Sequence, residues 1–425
     1  MSRGVEPVAT IPFLKTFFKI GVLSFGGPAS QVAVMQRVVI DERGWLEERE
    51  FLSALSFCML LPGPEAMQLA TWLGWRLRGT AGGVVAGLLF VLPGAIVMGL
   101  LAALYVRFGT LPLVSVLFVG VKAAVIAVVI GALIKLSKRA LQDGVSRCLA
   151  VAAFVAMFVF SLPFPVVILA AGLAGLFWTR GDTLPAVGNT GTASIRGTVR
   201  TVAVWLAVWW APLGMLALVD PHGLLWQIGR FFSTLAVLSF GGAYAVLAWL
   251  AQDAVGHYQW LTTAQMIDGL GLAETTPGPL ILVTEFVGYL AGSAQGGVGL
   301  AIAAALVTLW ATFIPCFLWI FTGAPWLDWV CGQPRLSNAL RAITAAVVGV
   351  MLNLSVWFAA HVLFAEVDRT TLFGTAMPLP DWSTLDGIAV LIFAVSAVAL
   401  FRFKCGVVSV LGIACTASVA LHQLL

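Results

Sequence analysis

Two Pro-Gly-Pro triplets stand inside apolar stretches of this sequence, Pro62-Gly63-Pro64 and Pro277-Gly278-Pro279. Each triplet removes two backbone donors, and its second proline disfavours a helical conformation at the glycine, so a helix must break there. A break also makes a new helix start. Pro64 suits the first position of a segment running through Ala66, Met67 and Leu69 to Trp75,. The first amides of such a segment lack carbonyl partners, and its dipole places about +0.5 charge at the break. In apolar surroundings this is an anion site that needs no Lys or Arg. Phe25-Gly26-Gly27, followed by Pro28, can do the same, glycine allowing close approach to the backbone,. Its counterpart Phe240-Gly241-Gly242 is followed by Ala243, so its helix start is less pre-organised. Thr275 and Thr276 can offer hydroxyls to an oxyanion or cap the half-helix that follows,. The plainer reading of all four motifs is a set of kinks for helix packing.

Charged residues within apolar runs are the second group. Lys15 and Lys19 lie four apart on one helix face, and Lys122 lies well inside another run. A charge at mid-membrane costs about 2.5–3.5 kcal/mol even on a lenient scale, so Lys19 and Lys122 are candidates to supply positive potential to a substrate path. Snorkelling explains the first two equally well, and pairing with an internal acid explains Lys122. Glu65 follows the first triplet and Glu274 precedes the second by three residues. Either could bind a proton and couple its movement to an anion, although Glu65 also suits a helix first turn on dipole grounds alone. Glu285 is a weaker candidate, and His257, beside Asp253, reads as a solvated loop histidine.

The elements that must hold these residues are set by composition. Apolar residues make up 60% and charged residues 10% of the 425, against roughly 25% charged in a soluble domain. Lipid is therefore the solvent. The net charge of +4 is too small and scattered for nucleic acid. The first twenty residues carry lysines within the apolar run and show no small-residue cleavage site, so they read as a retained helix,. The six cysteines form no CxxC pair and read as buried free thiols,. Nothing in the sequence calls for a metal or another cofactor.

Runs long enough to span fall near 12–35, 50–77, 82–106, 111–137, 143–160, 163–179, 201–219, 224–250, 262–292, 297–321, 336–362, 384–401 and 405–423,. The fold class is thus an all-α, polytopic transmembrane protein. Its halves are related: Leu23-Ser24-Phe25-Gly26-Gly27 recurs as Leu238-Ser239-Phe240-Gly241-Gly242, an offset of 238 − 23 = 215, and Pro-Gly-Pro recurs at the same offset. Further on the offset is 222, matching Pro93 with Pro315 and Lys122 with Thr344. The expected organisation is a first repeat over 1–178, a polar linker over 179–200, an orientation-inverting helix over 201–223 and a second repeat over 224–425. Positions 31–80 hold five arginines and the equivalent 246–295 holds neither Lys nor Arg, which suggests copies in opposite orientations. Thirteen spans with a cytoplasmic N-terminus and a periplasmic C-terminus satisfy most of the charges. A rival reading makes 50–77 and 262–292 re-entrant hairpins, which brings Arg37 through Arg78 to one side.

The stretches LSFGGPASQVAVMQ, GWL and LLPGPEAMQLATWLG resemble the chromate ion transporter (CHR) family, as do LSFGGAYAVLAWL and ETTPGPLILVTEFVGY in the second half. The resemblance covers nearly the whole chain and is to the long, two-domain members. It implies chromate efflux that confers resistance, with sulfate as a competing look-alike; the expected location is the bacterial inner membrane, and a homodimer is one possible assembly. Export of a dianion is aided by about 2.3 kcal/mol per charge per 100 mV of inside-negative potential, and no GxxxxGK[ST] phosphate loop occurs,. An alternating-access carrier is the expectation. A passive anion channel is the alternative, and a membrane enzyme lacks any nucleophile–base set in the sequence.

Overall fold

The computed structural model describes residues 8–25, 27–177, 194–240, 243–327, 329, 333–372 and 375–424. Among these residues fifteen α-helices carry the chain. They are α1 (Thr10–Leu23), α2 (Pro28–Gln36), α3 (Glu48–Cys58), α4 (Glu65–Phe108), α5 (Pro112–Ala140), α6 (Gly144–Phe158), α7 (Phe164–Leu176) and α8 (Ile195–Val219). After them come α9 (Leu224–Leu238), α10 (Ala243–Ala251), α11 (Thr263–Thr275), α12 (Val283–Gly323), α13 (Pro334–Leu363), α14 (Gly387–Phe401) and α15 (Val407–Leu424). A π-helical turn continues α2 over Arg37–Glu42, and another continues α10 over Gln252–His257, again at an offset of 252 − 37 = 215. Between α13 and α14 an antiparallel pair of short strands, β1 (Val367–Leu372) with β2 (Thr375–Pro380), is added to the otherwise helical chain.

Five stretches are long and apolar enough to cross a membrane, 65–108, 112–140, 195–219, 280–326 and 334–363. In α8 only 11% of the most apolar window is buried, and Leu218 and Val219 are 86% and 84% exposed. Apolar helix surface of this extent is compatible with lipid and not with water. The chain is a multi-pass helical membrane protein.

The described residues form two compact units. The first comprises Met1–Leu100, Leu176–Ala243 and Thr276–Leu340. There α8 and α9 pack on α12 around Trp209, Leu213 and Leu318. Trp209 Nε1 donates to Ser233 Oγ (3.1 Å), and Trp310 Nε1 donates to the Trp209 carbonyl (3.2 Å), so these indoles are satisfied,. The second unit comprises Leu101–Gly175, Tyr244–Thr275 and Arg341–Leu425. There α5 packs on α11, α14 and α15, and Ser418 Oγ donates to the Val116 carbonyl at 2.6 Å.

Neither α4 nor α12 is one straight helix. Arg78 and Gly79 leave helical geometry, Gly79 at φ +66°, and the chain doubles back. A Cβ built on Gly74 would overlap the Gly82 carbonyl and Ala86 Cβ, so the arms 65–77 and 80–108 touch backbone to backbone. In α12 the turn is at Gly296 and Gly297 (φ +72°), with Gly288 against Thr308 and Gly292 against Leu300 and Ala301. Small residues at such crossings let membrane helices approach closely.

Two of the thirteen expected spans are corrected in the first half. A span over 50–77 would hold its ends about 30 Å apart. Instead Glu50, at the start of α3, is ion-paired with Arg76, at the end of the first arm of α4. The two ends of the α3–Pro-Gly-Pro–α4 segment therefore lie together. The expected span over 12–35 is likewise divided between α1 and α2, which turn back on one another. Lys19 on α1 pairs with Glu42 beyond α2 at 2.7 Å, where a continuous helix would separate them by about 35 Å. Arg78 at the α4 turn donates to Thr10 Oγ1 at 2.7 Å and lies over the Phe13 ring, so α1 starts at the level where both arms of α4 meet.

Smaller differences have local causes. The last residues of the expected linker are helical, because Ser194 caps α8 by accepting from Gly197 N–H,; the stretch 178–193 lies outside the described residues. Cys58 and Cys316 are buried as expected, but Cys148 is exposed and Cys405 and Cys415 are half-buried. Cys331 lies outside the described residues.

Candidate functional site

The first unit brings the helix breaks of both halves together. α3 ends at Cys58 and α4 begins at Glu65; between them Gly63 sits at φ +116°. Gly278, between α11 and the 3₁₀ turn Leu280–Leu282, sits at φ +87°. Glycine alone adopts such angles without strain. The Gly63 N–H donates to the Ser239 carbonyl at 3.0 Å, and the Gly278 N–H donates to the Ser24 carbonyl at 2.7 Å. Each Pro-Gly-Pro glycine is thus bonded to the serine preceding the Phe-Gly-Gly of the other half.

Further contacts repeat with the halves exchanged. A Cβ on Gly63 would lie 3.1 Å from Cys316 Sγ, and the position equivalent to Cys316 is Gly94 (316 − 94 = 222). Gly94 lies against the second triplet, where a Cβ would overlap the Pro277 carbonyl. Only glycine lets that carbonyl approach so closely. When residue i meets j and the counterpart of j meets the counterpart of i, the contact is isologous.

Two buried glutamines complete the centre, and sequence reasoning missed both. Gln31 Nε2 donates to the Gly278 carbonyl and Gln68 Nε2 to the Pro62 carbonyl, each at 2.6 Å. They are 1% and 0% exposed, and the Oε1 of each has no partner. Each lies three or four residues after a helix-opening proline, within an apolar run; that was the available signal. The Gly63 and Gly278 amides are engaged by carbonyls. The first backbone N–H to bond back in α2 is that of Gln31, to the Gly27 carbonyl, and in α4 that of Gln68, to the Pro64 carbonyl,. Gly27 caps α2 at φ +82°, with Pro28 at its first position. Pro62, Gly63, Pro64, Thr276, Pro277 and Gly278 are buried; Phe25 is exposed and Phe240 half-buried. Gly26, Gly241 and Gly242 lie outside the described residues.

The expected charges are placed as follows. Lys19 is half-exposed and bonded to Glu42, whose carboxyl this hydrogen bond holds below the usual range. Glu65 opens α4, half-buried. Glu285, the weaker candidate, is 5% exposed and its Oε2 has no partner. In the second unit Glu274 is 4% exposed near the end of α11, and Thr275 Oγ1 donates to the Leu272 carbonyl. Lys122 Nζ lies 3.0 Å from Asp268 Oδ1, and Tyr105 OH donates to Asp268 Oδ2 at 2.7 Å. Asp268 is a further residue that sequence reasoning missed. His257 is exposed and packs edge-on against Tyr258.

A family model described as Chromate transporter matches residues 11–176 and again 226–419. The chain is 34% identical over 366 residues to a chromate transport protein of Pseudomonas aeruginosa, covering 82% of this chain and 81% of that one. It is 30% identical over 350 residues to the chromate transport protein of Cupriavidus metallidurans, covering 82% of each. An uncharacterized transporter of Methanocaldococcus jannaschii is 25% identical over 403 residues, covering 95% of this chain and 92% of that one. No solved structure gives a significant match. Two family matches in tandem, with two relatives 34% and 30% identical over most of their length, make this chain a member of the chromate transporter family.

Proposed function

We propose that the protein is a secondary transporter that exports chromate from the cytoplasm by alternating access. The dianion is held by first-turn amides of α2 and α4 and by their counterparts in the second half. The observation that carries this is the reciprocal bonding of Gly63 to Ser239 and of Gly278 to Ser24. It gathers four interrupted helices at one place, where non-helical backbone is tolerated only if protein or a polar cavity serves it. Gly94, beside the second triplet, is midway along the 80–108 arm of α4, the depth at which inverted-repeat carriers bind substrate.

The same reading sets topology. With α1–α2 and α3 with the first arm of α4 as re-entrant hairpins, and with their counterparts in the second half alike, nine segments span: the second arms of α4 and α12, together with α5, α6, α7, α8, α13, α14 and α15. An odd count puts the termini on opposite sides, and the Lys/Arg bias makes the N-terminus cytoplasmic and the C-terminus periplasmic. It also puts Arg37, Arg43, Arg49, Arg76 and Arg78 on the cytoplasmic side, with Lys135, Lys138, Arg139, Arg335, Arg402 and Lys404. The second copy is then inverted, which accounts for its lack of Lys and Arg over 246–295. We assign coupling to the carboxyls of Glu65 and Glu274, and Glu285 joins them because its Oε2 is buried without a hydrogen-bond partner. Sulfate is a competing look-alike, and a homodimer fits the same scheme.

The test is purified protein in liposomes with chromate or sulfate inside. Saturable flux that shows counterflow and grows with a negative interior is expected. Large unitary currents without counterflow would replace the carrier by the channel reading.

A further inference from the structure

The first unit holds a carboxylic acid in apolar packing with nothing to neutralise it. Glu285 lies in the first turn of α12, shortly after the second Pro-Gly-Pro, and is 5% exposed. Its Oε2 is buried without a hydrogen-bond partner, and no ion pair reaches the carboxyl among the described residues. Gly99, on the second arm of α4, makes the seat: a Cβ there would lie 3.0 Å from Glu285 Oε1. Ala95, Met98 and Ala102 on that arm are buried, as are Leu282 and Phe286 beside Glu285. The charged groups of the helices packed on α12 are turned away, since Arg230 of α9 and Arg196 and Arg200 of α8 are exposed. Titratable neighbours on the same two chains of packing are Tyr289, one turn on, Cys316, set against Gly63, and Tyr105 and Arg107 at the far end of α4. None of these acts electrostatically on the Glu285 carboxyl.

The fold does not require this acid. In the other copy Ala70 stands for Glu285 (285 − 70 = 215) and Phe321 for Gly99 (321 − 99 = 222), an apolar pair. Glu65 and Glu274 differ from Glu285 in that each interacts with a neighbour. An ionised carboxylate with neither cation nor donor is far costlier to bury than the neutral acid. The seat therefore fits the protonated form. The first turn of α12 is also the second-half counterpart of the α4 turn assigned to the anion. Gly99 is about 7–8 Å along its arm from Gly94, at 1.5 Å per residue, and Gly94 touches the second triplet. Like charges at that range repel strongly in apolar protein. We propose that Glu285 is the proton half of the substrate site: the divalent oxyanion binds when this carboxyl is protonated, and one proton travels with it. Loss of that proton on the far side restores the carboxylate charge and expels the anion. This rests on the reading of the chain as an oxyanion carrier with its site at the interrupted helices, and names the ion that conditions binding. One net negative charge still leaves in each cycle, so an inside-negative potential still drives export.

The experiment has two arms. Infrared spectra of the purified protein near neutral pH should show the C=O stretch of a buried protonated carboxyl, and Glu285→Gln should remove it. A spectrum that the substitution leaves unchanged overturns the proposal. In liposomes the apparent KM for chromate counterflow should rise about tenfold per pH unit once Glu285 begins to ionise. Glu285→Gln, neutral and of the same shape, should hold the acid-side KM at every pH while turnover slows. Titration of chromate itself is common to both proteins and cancels in their ratio. A ratio that does not change with pH overturns the proposal and leaves Glu285 a packing residue. Should Glu285→Gln fail to reach the membrane, Glu285→Ala, with the residue that the other copy uses, decides by the same spectrum and the same ratio. Absence of counterflow in the unaltered protein would instead reject the carrier reading, and the infrared arm alone would then decide whether Glu285 holds the proton.

Discussion

The N–H of Gly63 and the carbonyl of Ser239, on opposite halves of the chain, form a hydrogen bond of 3.0 Å. Gly278 and Ser24 form its counterpart at 2.7 Å. The glycines are held at φ +116° and +87° to do so.

Alanine at either glycine should therefore be strained by about 1–3 kcal/mol. Gly63→Ala also pushes its Cβ to 2.8 Å from Gln68 Nε2. Loss of chromate flux is expected, with protein still present in the membrane fraction; full flux from Gly63→Ala would mean that this turn does not shape the site.

Gln31→Met and Gln68→Met keep the side-chain volume and remove the amide. Each withdraws a hydrogen bond from a buried carbonyl, of Gly278 or Pro62, a change worth about 1–3 kcal/mol. Thermal melting in detergent should fall for both variants. An unshifted melting curve would show that the amides are dispensable to the centre.

The Glu50–Arg76 pair tests the first hairpin. Its side chains are 23% and 33% exposed, so breaking it with Arg76→Leu should cost about 1 kcal/mol after allowance for solvent screening,. Exchanging the two residues, Glu50→Arg with Arg76→Glu, should recover most of that loss. No recovery would indicate that the two helix ends are not paired in the bilayer.

Orientation is open to direct labelling. Asp41 and Gly256 are equivalent positions (256 − 41 = 215), both exposed within the π-helical turns. In a background without native cysteines, Asp41→Cys should react with an impermeant maleimide from the cytoplasmic side and Gly256→Cys from the periplasmic side. Reaction of both from one side would remove the inverted repeat.

Much of this was legible in the residues. Proline at two positions of each triplet and glycine beside it are backbone constraints, so they read straight from sequence. The doubling back at Gly79 falls between the runs 50–77 and 82–106, and that at Gly296–Gly297 falls at the start of the run 297–321, where glycine again marks the break. Which way a broken segment continues is a tertiary matter. A length of apolar sequence cannot distinguish a crossing from a hairpin, and only the meeting of Glu50 with Arg76, and of Lys19 with Glu42, does so. Gln31, Gln68 and Asp268 escape sequence reasoning because an isolated polar residue in an apolar run resembles any other until its partner is known. Lys122 was visible, but the acid opposite it lies in the other half of the chain.

The interchange of contacts between halves bears on the energetics of a working cycle. In a molecule whose two parts swap roles between inward-facing and outward-facing forms, matched contacts contribute alike to both and drop out of the difference. What remains are the unmatched positions, among them Gln31 and Gln68, which correspond to valines at positions 246 and 283, Cys316, which corresponds to Gly94, and Lys122, which corresponds to Thr344. In the proposed alternating-access cycle, such unmatched side chains set the resting bias between the two forms. Substituting them one at a time would tilt the balance between its two forms without dismantling either.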